Sequence, residues 1–299
     1  MSAPLPSLLA TCWTSAGDVR PGLTPDESPH ALAQRITAVS GAGYDGMGIE
    51  LADLRSLASR DLVDLRLRLA DAGIRTLQIE FIDDWFASGQ RRRVSDERRR
   101  ELFELAEALG ADHVKVGGGQ ASDVVDLDEV KAEFDALAHE AADHGTRVAL
   151  EGGAFSRLAD PATAVEVVSA TTSPAGGILL DIWHLQRVGF DYDRLPDLVP
   201  SARLFAVELD DGERESIADL FADTFDRRLP CGEGDFDVVR FIRSVRRIGF
   251  EGPWGVEHMS VDHRRKPVDE ALRDAAAAAR ECLRLAAGEG VANGREQAT

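Results

Sequence analysis

The chain has 299 residues, with 34 Lys and Arg against 53 Asp and Glu, for a formal net charge of −19. That balance excludes the basic stripe through which a nucleic-acid binder releases counterions, and it disfavours an anionic membrane surface. With 44% apolar and 29% charged residues, the composition is globular, has ample material for a core and lacks the signature of bulk disorder.

At ~100–200 residues per domain the length suggests two units, although α/β barrels reach it as one. Three cysteines, Cys12, Cys231 and Cys282, are odd in number and form no CxxC or CxxH framework. Neither a disulfide scaffold nor a thiolate zinc site is indicated. The start lacks a basic segment, its apolar stretch is broken by Pro4 and Pro6, and nowhere is there a run of ~18 apolar residues. A cytoplasmic protein with no membrane partner is the expectation.

In chain order, short apolar runs predict strands at Leu8–Thr14, Tyr44–Glu50, Thr76–Ile82, His113–Gly117, Arg147–Glu151, Gly177–Asp181, Leu204–Leu209 and Trp254–Glu257. Helical patterns lie between them. Leu54, Leu57, Ala58, Leu62, Leu65 and Leu69 form one apolar stripe, and Val130, Phe134, Leu137, Ala138 and Ala141 another. Asp126–Asp128 supplies a cap and an acidic first turn, and Asp160-Pro161 opens a further helix. Gly43, Gly73, Gly110, Gly145 and Gly249 fall where a helix ends just before the next strand.

Eight such units in one chain without a linker predict a single-domain α/β fold, a (β/α)8 TIM barrel over residues 1–288, with a small polar tail at 289–299. A doubly wound open sheet is the rival. Gly41 to Gly46 satisfies GxGxxG, but the order is helix, glycines, strand, the reverse of a dinucleotide fingerprint. Gly117–Gly119 follows a strand without a G-K-[ST], and reads as a loop allowing close approach at the barrel mouth.

The informative pattern is acidic. Glu50, Glu80, Glu151, Asp181, Glu208 and Glu257 each end an apolar strand, in the settings MGIE, TLQIE, RVALE, ILLD, FAVE and WGVE. In a barrel these positions converge on the rim that carries catalytic groups. Carboxylates gathered without a cation repel one another, and a bound divalent metal resolves that conflict. The last four are spaced 30, 27 and 49 residues apart, which places them on strands 5 to 8. The longest step contains Asp211 to Asp235, a loop long enough to lie over the mouth.

At LLDIWH (Leu179–His184), RRLP…GEGDFD (Arg227–Asp237) and GFEGPWGVEHMS (Gly249–Ser260) the chain resembles the xylose-isomerase-like barrels, the sugar phosphate isomerase/epimerase family. The resemblance implies a metal held by Glu151, Asp181, Glu208 and Glu257, with His184 facing the substrate. It also implies an Arg ahead of the Gly-rich loop that grips a substrate oxygen. Alignment on Pro230 picks Arg227 and alignment on the glycines picks Arg228, the second being favoured. Two departures stand out: the strand-7 ligand is normally His, or Gln in some dehydratases, and Pro230-Cys231-Gly232-Glu233-Gly234 replaces Pro-Gly-x-Gly. Glu50, Glu80 and Lys115 are further candidates for substrate hydroxyls, and Trp13, with Trp85, Trp183 and Trp254, for a flat apolar wall. His258 follows Glu257 directly, so a strand would turn it away.

The resemblance implies a metal-dependent isomerase or epimerase of a small sugar or polyhydroxylated carbonyl compound. Glu151 and Glu257 would shuttle the α-proton through an enediolate. The alternative is a dehydratase of keto-inositol or dehydroshikimate type, using the same proton abstraction. An abasic-site nuclease, which shares the fold, is opposed by the acidic charge and the few histidines, and a non-catalytic barrel that binds a sugar or a partner protein leaves the carboxylates unexplained. With Glu at 208 the site is all-oxygen, which suits Mn²⁺ or Mg²⁺, whereas His would favour Co²⁺ or Zn²⁺. If Glu208 is not a ligand, Asp210 or a water takes its place. The partner is a small-molecule polyol or sugar, with homo-oligomerisation left open.

Overall fold

The computed structural model describes residues 6–22 and 26–288. The eight apolar runs form strands β1 (Leu8–Ala10), β2 (Gly46–Glu50), β3 (Thr76–Ile82), β4 (His113–Gly117), β5 (Val148–Glu151), β6 (Gly176–Asp181), β7 (Leu204–Leu209) and β8 (Trp254–Val256). They pair in parallel in sequence order, and β8 closes on β1 to complete a barrel. Closure excludes the open-sheet rival. Outward-facing Val, Ile and Leu, such as Val114, Val116, Val148, Leu150, Ile178 and Leu180, are buried under the helices in one continuous core. That is why these strands read as unbroken apolar runs.

The helix punctuation follows the local chemistry. Asp126 accepts the N–H of Asp128 at 2.8 Å ahead of helix Leu127–Asp143, and Asp160 accepts that of Thr163 at 3.1 Å ahead of Pro161–Ala170. All five predicted helix-ending glycines have positive φ, from 66° at Gly145 to 94° at Gly249, a conformation that only glycine adopts without penalty. In helix Val238–Ile248 the buried side is Val238, Phe241, Ile242, Val245 and Ile248, and the arginines lie opposite.

Two local expectations need correction. The first strand stops at Ala10, and Cys12–Ser15 turns into a short helix that carries Trp13. The stripe from Leu54 to Leu69 is split between Leu51–Leu54 and Ser59–Asp71, with Ala58 exposed as the cap of the second helix. Apolar residues at helical spacing cannot reveal a break whose cause is the chain turning off the strand end. The tail expected at 289–299 lies outside the described residues.

The lumen is polar. Gln78 on β3 reaches Glu208 on β7 at 3.3 Å, and Lys115 on β4 reaches the same carboxylate at 2.8 Å. Neither strand neighbours β7, so both contacts cross the barrel. Period-two alternation carries the same inward face up to Glu80 and Gly117, and from Ala149 to Glu151.

Candidate active site

The C-terminal mouth opens into a cavity of about 520 Å³. Glu50, Glu80, Lys115, Glu151, His184, Arg228 and Glu257 line it, as does the half-buried Trp13. Trp85 and Trp183 are in the core instead, as is Trp254. The apolar wall comes mainly from phenylalanines. Phe155 and Phe221 are 4.4 Å apart between ring centres, and Phe225 lies beyond at 5.9 Å from Phe221. Phe221 and Phe225 sit on helix Leu220–Asp226, inside the long loop predicted to cover the mouth. Asp211, fully buried, shapes that loop by accepting the N–H groups of Gly212, Gly232 and Phe236 at 2.8–3.0 Å. On the opposite rim the Gly117–Gly119 loop allows the predicted close approach: a Cβ on Gly118 would sit 2.4 Å from the Ser156 hydroxyl.

Glu151, Asp181, Glu208 and Glu257 converge as expected. All are buried, and one oxygen from each lies within 4.8 Å of the others. Lys115 places its ammonium 2.8 Å from Glu208 Oε2, 3.0 Å from Glu257 Oε1 and 3.2 Å from Glu151 Oε1. Arg228 places Nη1 2.9 Å from Asp181 Oδ2, 3.2 Å from Glu257 Oε2, and in a short contact with Asp210. Its other nitrogens donate to Thr224, and the guanidinium stacks over Trp183. Five carboxylates therefore share two fixed cations. Glu151 Oε1 and Asp210 Oδ1 are buried without a hydrogen-bond donor.

The electrostatics follow from that imbalance. Burial raises Glu151 to about 7, although Lys115 and Arg228 pull it down. Burial also lifts Glu208 and Asp210 well above the ordinary carboxylate range, with neighbouring carboxylates adding to the rise. Asp181 goes the other way: burial would raise it, but Arg228, His184 and Lys115 outweigh burial and hold it well below. A cluster of hard oxygen donors, outnumbering its cations and with buried oxygens that accept no hydrogen bond, is chemically suited to a divalent cation.

His184 adopts a defined tautomer. Its Nδ1 accepts the backbone N–H of Ala154 at 3.1 Å, so the neutral ring carries its proton on Nε2. Burial keeps it neutral, with its pKa lowered to about 3. Nε2 points to Glu151 Oε1 at 3.7 Å and Asp181 Oδ2 at 3.9 Å. Although the ring is close enough to join Glu151 and Asp181 around a cation, its Nδ1 accepts the Ala154 N–H and its Nε2 carries the proton. It is arranged as a donor.

The two arginine alignments now separate. Arg228 is buried in the cavity wall, while Arg227 is exposed and pairs with Glu213 outside it. Glu50 caps helix Leu51–Leu54 and pairs with Arg98 at 2.6 Å, and burial raises it to about 7. Glu80 is buried with Oε1 unpartnered. His258 packs its ring 4.3 Å from that of His263. Sequence reasoning overlooked Gln78, although a glutamine in the apolar run TLQIE, two residues before Glu80, carries the same signal as Lys115 in HVKVG. Thr224, Phe155, Phe221 and Phe225 left no comparable mark, because loop conformation brings them in.

Comparisons with known proteins agree with the barrel fold. The chain is 28% identical over 242 residues to the 3-dehydroshikimate dehydratase of Pseudomonas aeruginosa. It is 26% identical over 248 residues to the enzyme of that name from Pseudomonas putida. These matches cover 79% and 81% of the chain but only 37% and 38% of the relatives, so the chain spans less than half their length. Among solved structures, a xylose isomerase-like TIM barrel/4-hydroxyphenylpyruvate dioxygenase fusion protein superposes with a TM-score of 0.78 at 22% identity. That match covers 91% of this chain and 42% of the other. The IOLI protein with a bound zinc atom gives 0.76 at 18%, covering 92% and 98%. L-ribulose 3-epimerase gives 0.73 at 15%, covering 98% and 100%. Residues 36–285 match the model of the xylose isomerase-like TIM barrels, and the chain belongs to that family.

Proposed function

We propose that the protein is a divalent-metal-dependent lyase that removes water from a small polyhydroxylated ketone, with 3-dehydroshikimate as the reference substrate. The observation that carries this reading is the cluster of four buried carboxylates, two of which, Glu151 and Glu257, line a cavity sized for such a molecule. The sequence left two reactions open, isomerisation and dehydration. The names of the two Pseudomonas relatives favour the second.

Glu151, Asp181, Glu208 and Glu257 would hold the metal, with Mn²⁺ or Mg²⁺ the ions an all-oxygen set prefers over Zn²⁺ or Co²⁺. When bound, the ion acts as a Lewis acid that polarises the ketone and stabilises negative charge on its oxygen. Glu151 takes the α-proton. The electron pair left on carbon forms the double bond, the β C–O bond breaks, and the departing hydroxyl leaves as water after Glu257 returns a proton. His184 donates Nε2–H to a substrate oxygen, and Arg228 keeps Asp181 and Glu257 in place. Phe155, Phe221 and Phe225 exclude bulk water from the ring face. Glu50, Glu80 and Trp13 line the remaining substrate wall.

The test is to incubate the Mn²⁺-loaded protein with 3-dehydroshikimate and, in parallel, with ketoses and keto-inositols in deuterated water. A product lighter by one water supports the lyase. Solvent deuterium at the α-carbon with the oxygen count retained would make the protein an isomerase or epimerase. No turnover on any member of the panel would refute both.

A further inference from the structure

Lys115 lines the cavity, yet its ammonium is surrounded. It is 3% exposed and has three carboxylates, from Glu208, Glu257 and Glu151, within 3.2 Å. Of the three N–H donors of an ammonium, two are given to Glu208 and Glu257, and Glu151 stands at ion-pair distance on the remaining side. Its stem rises from β4 in the lumen, directly beneath the carboxylates. The chamber gathers five carboxylates, from Glu151, Asp181, Glu208, Asp210 and Glu257, against two cations, Lys115 and Arg228. The two cations divide the cluster: Arg228 takes Asp181 and Asp210, Lys115 takes Glu151 and Glu208, and Glu257 gives one oxygen to each.

We propose that Lys115 is the resident counter-cation of this centre, allowing an all-carboxylate cluster to fold without a metal and weakening its hold on a divalent ion. The proposal rests on the metal-dependent reading above. Removing the ammonium takes away a like charge beside the bound ion and leaves the empty cluster under greater repulsion. Both effects tighten metal binding. A lysine that merely filled space would do the opposite, because its loss would loosen the ligands.

The experiment is a charge cycle on the full chain, stripped of metal and titrated with MnCl₂ calorimetrically, with melting curves recorded before addition. Wild type, Lys115→Met, Glu208→Gln and the Lys115→Met/Glu208→Gln double variant are compared. The expected result is that Lys115→Met melts lower without metal, yet binds Mn²⁺ about tenfold or more tightly than wild type. The double variant, with the charge balance restored, recovers the metal-free melting temperature. A folded Lys115→Met protein that binds Mn²⁺ no more tightly than wild type overturns the proposal. If Lys115→Met does not fold without metal, the double variant decides: recovery of folding supports the proposal and failure overturns it. A wild type that binds no Mn²⁺ overturns the metal reading instead, and the metal-free melting cycle still tests the Lys115–Glu208 pairing.

Discussion

His184 and Ala154 are joined by a single hydrogen bond, imidazole Nδ1 accepting backbone N–H at 3.1 Å, and that bond determines what the histidine offers the cavity. With Nδ1 occupied, Nε2 must carry the proton, so the ring is a donor and not a metal ligand. His184→Phe keeps the aromatic packing against Phe155 and Trp183 but removes the donor. The expected outcome is a fall in kcat of about a hundredfold or more, with Mn²⁺ affinity within a few-fold of wild type. A large loss of Mn²⁺ affinity on calorimetric titration would place the imidazole among the ligands.

Asp181 presents its two oxygens to different partners, Oδ1 to the Trp183 N–H at 2.7 Å and Oδ2 to Arg228. Asp181→Asn preserves the first contact and removes the charge. It should weaken Mn²⁺ binding by about a hundredfold or more, at least the upper range for loss of an outer partner, and abolish turnover. Circular dichroism should remain that of a folded α/β protein.

Glu208 tests selectivity. Replacing it by His converts an all-oxygen donor set into a mixed one, so the preference should shift from Mn²⁺ or Mg²⁺ towards Co²⁺ or Zn²⁺. Titration of the stripped protein with each ion, before and after the substitution, reads the change. An unaltered order of affinities would remove Glu208 from the ligand set and leave Asp210 or a water in its place.

Adjacent arginines should behave oppositely. Arg228 is buried among Asp181, Asp210, Glu257 and Thr224, so Arg228→Met leaves uncompensated carboxylates and should cost about 3–5 kcal/mol in urea unfolding. Arg227 pairs with Glu213 at the surface and stands 3.5 Å from Asp223, which Arg187 already holds at 2.8 Å, so Arg227→Ala should cost no more than about 1 kcal/mol with turnover unchanged.

Acid stability has a legible contributor at the far end of the barrel. His113 on β4 is buried with both ring nitrogens unpartnered, and burial, with Arg147 and Lys115 nearby, lowers its pKa to about 3. Its folded pKa lies below the unfolded value near 6.5, so the unfolded chain binds the extra proton. The stability this supplies is present above about pH 6.5 and is lost as pH falls towards 3. His113→Asn should reduce the slope of unfolding free energy against pH by about 1.4 kcal/mol per unit between pH 6 and 4. An unchanged slope would mean the imidazole is already protonated in the folded state.

Much of this protein is legible in the sequence because it depends on neighbours along the chain. Buried parallel strands read as apolar runs, helix ends demand left-handed glycines such as Gly43 and Gly249, and a carboxylate that ends a barrel strand must reach the common rim. Those local rules determined the barrel and the convergence of Glu151, Asp181, Glu208 and Glu257. Tertiary structure alone decided how the cluster is balanced. Lys115 meets Glu208 across 93 residues, Arg228 meets Asp181 across 47, and Ala154 meets His184 across 30. Which of two adjacent arginines turns inward, which nitrogen of a histidine holds the proton and which carboxylate a lysine neutralises depend on the lumen's shape and low dielectric, which exist only once the barrel has closed.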